Sequence, residues 1–243
     1  MRKKVLLVIG GSSDIGIRLI RELADEYWKI WLHYNSSEDR AEELKKEFGE
    51  KILPVSCDLR DYDSVEAMTN LIYGSGCPPD HIVQLAFPRV SNRKFQKHKW
   101  EEYQEGIDVG VRSLVQVLRH AMPDMAKKHY GKVVIMLTSY VKDIPKYVTP
   151  YVVGKYALLG LANSLAVEYC SKGITVNLVS PEMIETRFLQ NLPELIVQSN
   201  AEKNPLHRNL TESDVIPAFR YFLSDGADAV TGTNLFVTGG RNL

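Results

Sequence analysis

The sequence has no excess of either charge, few cysteines and no long apolar run, and each absence excludes a class of protein. Its 30 basic side chains balance 30 acidic ones among 243 residues, so the overall charge favours neither nucleic acid nor an anionic membrane surface as a partner. Three scattered cysteines show no metal-ligand spacing and favour reduced thiols in a cytoplasmic protein over disulfides. No segment approaches a transmembrane length, and the apolar run after the basic start is too short for a signal peptide.

Short apolar runs alternate with helical patterns along most of the chain. Strands are expected at residues 5–9, 29–34, 52–56, 82–86, 133–137, 174–179 and 234–237. Helices are expected at residues 38–48, 64–72, 100–129, 151–169 and 211–224, with Pro123 breaking or bending the third of them. This alternation predicts α/β architecture: a single Rossmann-like domain over residues 1–243, with a doubly wound parallel sheet and right-handed crossovers.

A glycine-rich turn joins the first strand to a helical pattern. It reads Gly10-Gly11-Ser12-Ser13-Asp14-Ile15-Gly16. Glycines let the backbone approach a pyrophosphate, and the start of a helix supplies free N–H groups and the positive end of its dipole. In this context the turn predicts a dinucleotide site, and a plain tight turn is the alternative.

The residues after the second strand bear on the choice of cofactor. No acid follows that strand, where an acid would bind the ribose 2′-hydroxyl of NAD and repel a 2′-phosphate. The small polar residues Asn35 and Ser36 stand there instead, which favours NADP(H). Arg18 and Arg40 are possible phosphate partners, and for Arg40 an ordinary surface charge is the preferred interpretation. After the third strand, Asp58 either accepts the adenine amino group or caps the next helix.

A tyrosine, a lysine and a serine form the candidate catalytic set. Tyr151 and Lys155 are four residues apart on one helical face, and Ser139 stands at the end of the strand before them. A tyrosine has an unperturbed pKa of about 10, and a neighbouring ammonium group lowers it. A hydroxyl opposite can hold a carbonyl oxygen while the tyrosine protonates it. The set suits reduction of a ketone or the reverse reaction, although a tyrosine and lysine at this spacing also occur by chance on many helices.

Two segments are expected to border the substrate. Residues 87–99 carry five lysines or arginines and no acid. They form either a solvated loop or a landing site for an anionic substrate or an acidic carrier. Residues 186–206 lack strand character and are expected to form a mobile substrate lid.

Motifs along nearly the whole chain resemble those of the classical short-chain dehydrogenases/reductases. They are Gly10 to Gly16, Cys57-Asp58-Leu59, Tyr151-Val152-Val153-Gly154-Lys155, Ile174-Thr175-Val176-Asn177, Ser180-Pro181 and Val237-Thr238-Gly239-Gly240. Within that family the chain looks most like bacterial 3-oxoacyl-carrier-protein reductases. The resemblance implies a homo-oligomer, a tetramer or a dimer, assembled through the long helices and the C-terminal strand.

The resemblance also implies a role for each matching residue. Tyr151 would be the acid/base, and Lys155 would lower its pKa and hold the nicotinamide ribose. The further residues implied to contact the cofactor are Gly10, Ser12, Ser13, Asp14, Ile15, Gly16, Asp58, Ala86, Pro181, Ile184 and Thr186.

The chain departs from the family pattern at several positions. Asp14 replaces the middle glycine of the turn, Phe87 ends the run that is usually Asn-Asn-Ala-Gly, and Glu182 replaces the glycine after Pro181. Asp108 replaces an asparagine of the middle helix, which weakens any proton relay from Lys155 through that helix. Spacing leaves Thr138 or Ser139 as the substrate-holding hydroxyl, and Ser139 is preferred.

Three functions are consistent with these residues. The first is an NADP(H)-dependent reductase of a small or carrier-bound carbonyl compound, such as a 3-oxoacyl thioester. The second is a dehydrogenase or epimerising enzyme acting on a sugar or another small alcohol. The third is a sensor or scaffold that binds NADP(H) without catalysis.

Overall fold

A computed structural model describes residues 3–241, apart from the side chain of Asn191. Its centre is one seven-stranded parallel sheet with the strand order β3-β2-β1-β4-β5-β6-β7. The strands are β1 (Val5–Ile9), β2 (Lys29–Tyr34), β3 (Ile52–Ser56), β4 (His81–Gln84), β5 (Gly131–Met136), β6 (Ile174–Pro181) and β7 (Asn234–Val237). The predicted α/β class and doubly wound sheet are confirmed, and four of the seven strands have the predicted bounds.

Helices cover both faces of the sheet. They are α1 (Asp14–Leu23), α2 (Glu38–Phe48), α3 (Tyr62–Gly74), α4 (Trp100–Gly106), α5 (Ser113–Lys128), α6 (Thr149–Tyr169), α7 (Glu194–Lys203) and α8 (Glu212–Leu223). A π-helical stretch, Ile107–Arg112, joins α4 to α5. One buried cluster packs α3, α5 and α6 on one face, and a second packs α1, α2 and α8 on the other. None of the helices within residues 3–241 combines the length and apolar content that crossing a bilayer requires.

Of the two effects predicted for Pro123, a break or a bend, the break is wrong, because α5 continues through it to Lys128. The side chains of Ala121, Met122 and Met125 are buried in the core on either side of the proline. Packing of this kind offsets the missing backbone hydrogen bond, whose loss otherwise costs about 3 kcal/mol.

The order of the strands determines where a ligand can bind. The chain runs outward from β1 through β2 to β3 and then returns to place β4 on the other side of β1, with Leu7 paired to both Trp31 and Ile82. The connections after β1 and β4 therefore leave in opposite directions and open a crevice at the carboxyl ends of the strands. The glycine-rich turn follows β1, and Phe87 follows β4.

Candidate active site

A cavity of about 460 Å³ lies at this edge of the sheet. Its walls come from α6 and from the connections after β1, β4, β5 and β6. The last of these connections, with the start of α7, contributes residues as far as Ile196. Eight of the predicted site residues line it: Ser13, Asp14, Ile15, Tyr151, Lys155, Pro181, Ile184 and Thr186. The structure thus brings the glycine-rich turn and the tyrosine–lysine pair to one cavity.

The glycine-rich turn has the compact form that a phosphate group requires. Gly10 has a φ of +83°, and a Cβ there would lie 2.9 Å from the backbone nitrogen of Ala86. At Gly16 a Cβ would lie 2.6 Å from the carbonyl oxygens of Gly10 and Gly11. Ser13 caps α1 by accepting a hydrogen bond from the Gly16 N–H at 3.1 Å. The start of α1 faces the cavity, so these residues fit the diphosphate of a dinucleotide.

His33 supports the glycine-rich turn through a hydrogen bond to Gly10. This role was not predicted from the sequence. Its Nδ1 accepts a hydrogen bond from the Gly10 N–H at 2.9 Å, and its Nε2 lies 3.0 Å from the carbonyl oxygen of Cys57. Burial lowers the pKa of His33 to about 4. The neutral imidazole therefore joins the carboxyl ends of β1, β2 and β3. In the sequence, the one sign of this role is a histidine within an apolar strand, near its end.

Asp14 ties two arginines to the start of α1. Its carboxylate accepts hydrogen bonds from Arg40 at 2.8 Å and from the side chain of Arg187 at 3.0 Å, and it also accepts one from the Arg187 backbone N–H at 2.8 Å. Arg40 further donates to the carbonyl oxygen of Ser12 at 2.7 Å. Arg40 is therefore part of the turn rather than an ordinary surface charge, whereas Arg18 pairs with Glu22 on the surface of α1.

The residues predicted to contact the adenosine part of the cofactor lie outside the cavity lining. The carboxylate of Asp58 is bonded to Arg60, which holds the pKa of Asp58 below its usual value. Asp61, and not Asp58, caps α3. Asn35 and Ser36 are exposed beyond β2, and the next residue, Ser37, lines the cavity instead.

Tyr151 and Lys155 meet a hydroxyl inside the cavity. Thr138 and Tyr151 line the cavity together. The buried Nζ of Lys155 donates to the carbonyl oxygen of Met136 at 2.9 Å and lies 5.6 Å from the centre of the Tyr151 ring. The end of β5 and the first turns of α6 thus bring together a phenol, an amine and a hydroxyl.

The expected lowering of the Tyr151 pKa is not found. Burial raises the pKa of Tyr151 well above its usual value, and the Thr138 side chain offsets only part of that rise. Burial also lowers the pKa of Lys155 to about 7. The phenolate of Tyr151 and the ammonium of Lys155 both lose hydration in this apolar site. This cost exceeds the attraction between them, which was expected to lower the pKa of Tyr151.

The expected position of Ser139 is also wrong. Its hydroxyl is buried and donates to the carboxylate of Glu182 at 2.9 Å. Thr138 lines the cavity in its place. Thr138 has an extended backbone and Ser139 begins a short 3-10 helix, and of the two side chains Thr138 is the one that lines the cavity beside Tyr151. The alternative that the spacing left open, Thr138, therefore has the geometry of a substrate-holding hydroxyl.

Asp108 lies on the π-helical stretch and is engaged there. It pairs with Arg112 at 2.8 Å and accepts a hydrogen bond from Gln104 at 3.0 Å. Between this stretch and Lys155 stands the ring of Phe87, which contacts Gly110 on one side and Gly154 on the other. Phe87 therefore fills the space between the middle helix and the lysine with an apolar group.

Known proteins share this architecture and about a quarter of the residues. A family model described as Enoyl-(Acyl carrier protein) reductase matches residues 10–242. The 3-oxoacyl-[acyl-carrier-protein] reductase FabG of Staphylococcus aureus is 28% identical over 242 residues, covering 98% of this chain and 97% of that protein.

Solved structures agree with that match. A short chain dehydrogenase/reductase family protein superposes with a TM-score of 0.86 at 26% identity, covering 100% of this chain and 99% of the other. The structure described as ElxO with NADP bound superposes with a TM-score of 0.88 at 24% identity, covering 98% of each chain. The fold agrees with these matches, and the chain is an oxidoreductase of the short-chain dehydrogenase/reductase family.

Proposed function

We propose that this protein reduces a ketone to a secondary alcohol with NADPH, using Tyr151 as the acid. The observation that carries the proposal is the meeting of Tyr151, Thr138 and Lys155 in one cavity with the glycine-rich turn. Thr138, rather than Ser139, takes the part of the substrate-holding hydroxyl.

Each of the three side chains has a distinct task. When bound, NADPH supplies the hydride. The Thr138 hydroxyl donates a hydrogen bond to the carbonyl oxygen, and the Tyr151 phenol transfers its proton to the same oxygen. A raised pKa keeps Tyr151 protonated, as an acid must be before the reaction. Lys155 is held by the Met136 carbonyl oxygen beside the phenol, where its charge favours the phenolate that remains.

The preference for NADPH over NADH rests on residues around the turn. No acid follows β2, and the guanidinium of Arg40 lies against the turn at Ser12 and Asp14. We propose that the predicted turn residues, from Gly10 to Gly16, hold the diphosphate and that Pro181, Ile184 and Thr186 border the nicotinamide. The structural neighbour ElxO carries NADP, which agrees with this assignment.

A ketone with an apolar chain suits the substrate end of the cavity best. Apolar side chains dominate this end, among them Val90, Val148, Phe188, Leu192 and Ile196. Arg89 lines the cavity at the start of the basic segment, where a carrier-bound or anionic substrate would approach. The printed name of the S. aureus relative specifies a 3-oxoacyl group on an acyl carrier protein, and we propose a substrate of this class.

Apolar side chains are exposed on the outer faces of α6 and β7. Val153, Tyr156 and Val167 are exposed on α6, and Leu235 and Phe236 are partly exposed on β7. We propose that these faces are covered in a cytoplasmic homo-oligomer, a dimer or a tetramer.

The test begins with titration of the purified protein with NADPH and NADH, followed by a panel of ketones and 3-oxoacyl thioesters. We expect tighter binding of NADPH and its oxidation by at least one member of the panel. Tyr151→Phe should abolish turnover, and Thr138→Val should lower kcat by roughly 10²–10³-fold, both with NADPH binding retained. Tight NADPH binding without any turnover would favour a non-catalytic sensor, and turnover of alcohols alone would favour a dehydrogenase.

A further inference from the structure

Glu182 is a buried carboxylate in the wall of the cavity. Its side chain is only 2% exposed and follows Pro181 at the end of β6. One carboxylate oxygen accepts the hydrogen bond from Ser139, and the other lies 3.3 Å from the guanidinium of Arg241. Burying a carboxylate costs several kcal/mol unless it is paired, and Ser139 and Arg241 supply the partners of Glu182.

Arg241 extends these contacts to the proposed lid. Its guanidinium donates to the Oδ1 atom of Asn200 on α7, at 2.5 Å. The amide of Asn200 donates in turn to Asn209 at 2.9 Å, and both asparagines are buried. A continuous polar network therefore runs from the residues after β5, through Glu182 and Arg241, to the helix that covers the substrate end.

The direction of the Thr138 side chain follows from this network. Thr138 has extended backbone angles, φ −167° and ψ 150°, directly before Ser139. Ser139 begins a short 3-10 helix, and its hydrogen bond to Glu182 anchors that first residue, which holds the adjoining Thr138 backbone with its side chain along the cavity. The Thr138 hydroxyl also accepts a hydrogen bond from the Tyr140 N–H at 3.3 Å, and the contact with Glu182 keeps the Ser139 hydroxyl out of the cavity.

We propose that Glu182 is a positioning residue, which holds Ser139 so that the Thr138 hydroxyl meets the carbonyl oxygen of the substrate. This inference rests on the proposed ketone reduction. Glu182 acts through Ser139 and touches neither the substrate nor the cofactor. Its carboxylate also couples the position of α7 to that of the hydroxyl, because Arg241 contacts both Glu182 and Asn200.

A substrate contact by Glu182 is the competing explanation, because this residue lines the cavity. The two roles differ in the kinetic constant that they change. Loss of a substrate contact raises KM, whereas a displaced hydroxyl lowers kcat, because its hydrogen bond strengthens in the transition state. A displacement of about 1 Å can cost roughly 100-fold in rate.

The experiment compares Glu182→Ala, Ser139→Ala, the double variant and Glu182→Gln in the full chain, with NADPH and a ketone that the wild type reduces. We expect kcat to fall roughly 10-fold to 100-fold in each alanine variant and no further in the double variant, because the two residues act as one unit. KM and the affinity for NADPH should stay within about twofold. The amide oxygen of Glu182→Gln can still accept from Ser139, so this variant should recover most of kcat.

Control and failure outcomes separate the explanations. Glu202→Ala removes an exposed carboxylate from the same lid helix and should leave kcat unchanged. Circular dichroism and thermal unfolding of every variant show that the chain is folded. Additive losses in the double variant, or a rise in KM alone, would overturn the positioning role while leaving the ketone reduction intact. If none of the ketones supported NADPH oxidation by the wild type, the proposed function would be overturned, and this inference would fall with it.

Discussion

The Nζ atom of Lys155 lies 4.3 Å from the centre of the Phe87 ring, within the range of a cation–π contact. The ring of Tyr151 meets the same phenylalanine edge-on, with 5.3 Å between the ring centres. Phe87 therefore supports both members of the proposed acid–base pair from one side. Two glycines make room for it: a Cβ at Gly110 or Gly154 would lie 2.6 Å or 2.7 Å from the ring.

Alanine at position 154 should destabilise the protein because of this contact. We expect Gly154→Ala to lower the free energy of unfolding by about 1–3 kcal/mol, the usual cost of overpacking. Gly160→Ala is the matched control in the same helix, since a Cβ there meets nothing within 4 Å. It should be neutral or stabilise by up to about 1 kcal/mol. Urea denaturation measures both, and equal effects at the two positions would refute the contact with Phe87.

Lys155 should make the stability of the protein rise with pH. Its pKa is about 7 in the folded chain, whereas the ordinary pKa of a lysine, expected in the unfolded chain, is 10.5. Between these values the unfolded chain holds a proton that the folded chain has lost, so the folded state gains stability as the pH rises and bears the full penalty below pH 7. Lys155→Met should therefore stabilise the protein most near pH 6 and least near pH 10, with a difference of at most about 4 kcal/mol. Thermal unfolding at the two pH values checks this, and a gain independent of pH would count against it.

His33 should make the protein sensitive to acid. Its pKa is about 4 in the folded chain, whereas the ordinary pKa of a histidine is 6.5, so the unfolded chain gains a proton first as the pH falls. The contribution of His33 to the free energy of unfolding is fully present above pH 6.5. It declines toward pH 4, by up to about 3 kcal/mol. His33→Asn retains a group that can accept from Gly10 but has no charge to gain, so its loss over the same interval should be smaller. Thermal unfolding between pH 7 and pH 4 measures this. If the wild type and His33→Asn lost equal stability over that interval, the lowered pKa of His33 would be contradicted.

Asp14 should weaken the binding of an anionic cofactor. Its carboxylate stands at the start of α1 and occupies the guanidinium groups of Arg40 and Arg187. We expect Asp14→Asn to bind NADPH roughly threefold to tenfold more tightly at low salt, and less so as ionic strength rises. Asp39→Asn, which removes an exposed acid from the first turn of α2, is the control. Fluorescence titration measures the affinity, and weaker binding by Asp14→Asn would show that the carboxylate helps the turn instead.

The sequence predicts the sheet closely and the interior of the site less well. Buried parallel strands are continuous apolar runs, which is why the bounds of β1 could be read directly. The direction of the Ser139 side chain depends on Glu182, 43 residues further along the chain, and no local pattern records that contact. The raised pKa of Tyr151 likewise depends on how completely the surrounding segments exclude water.

Two carboxylates at positions where the resemblance implies glycine hold the two ends of the proposed lid. Asp14 binds Arg187 at its beginning, and Glu182 reaches Asn200 near its end through Arg241. A loop exchange that grafts a relative's lid onto this chain would remove Arg187, which pairs with Asp14, and Asn200, which accepts a hydrogen bond from Arg241. Engineering of substrate range here must therefore treat positions 14 and 182 as part of the lid, although neither lies within it.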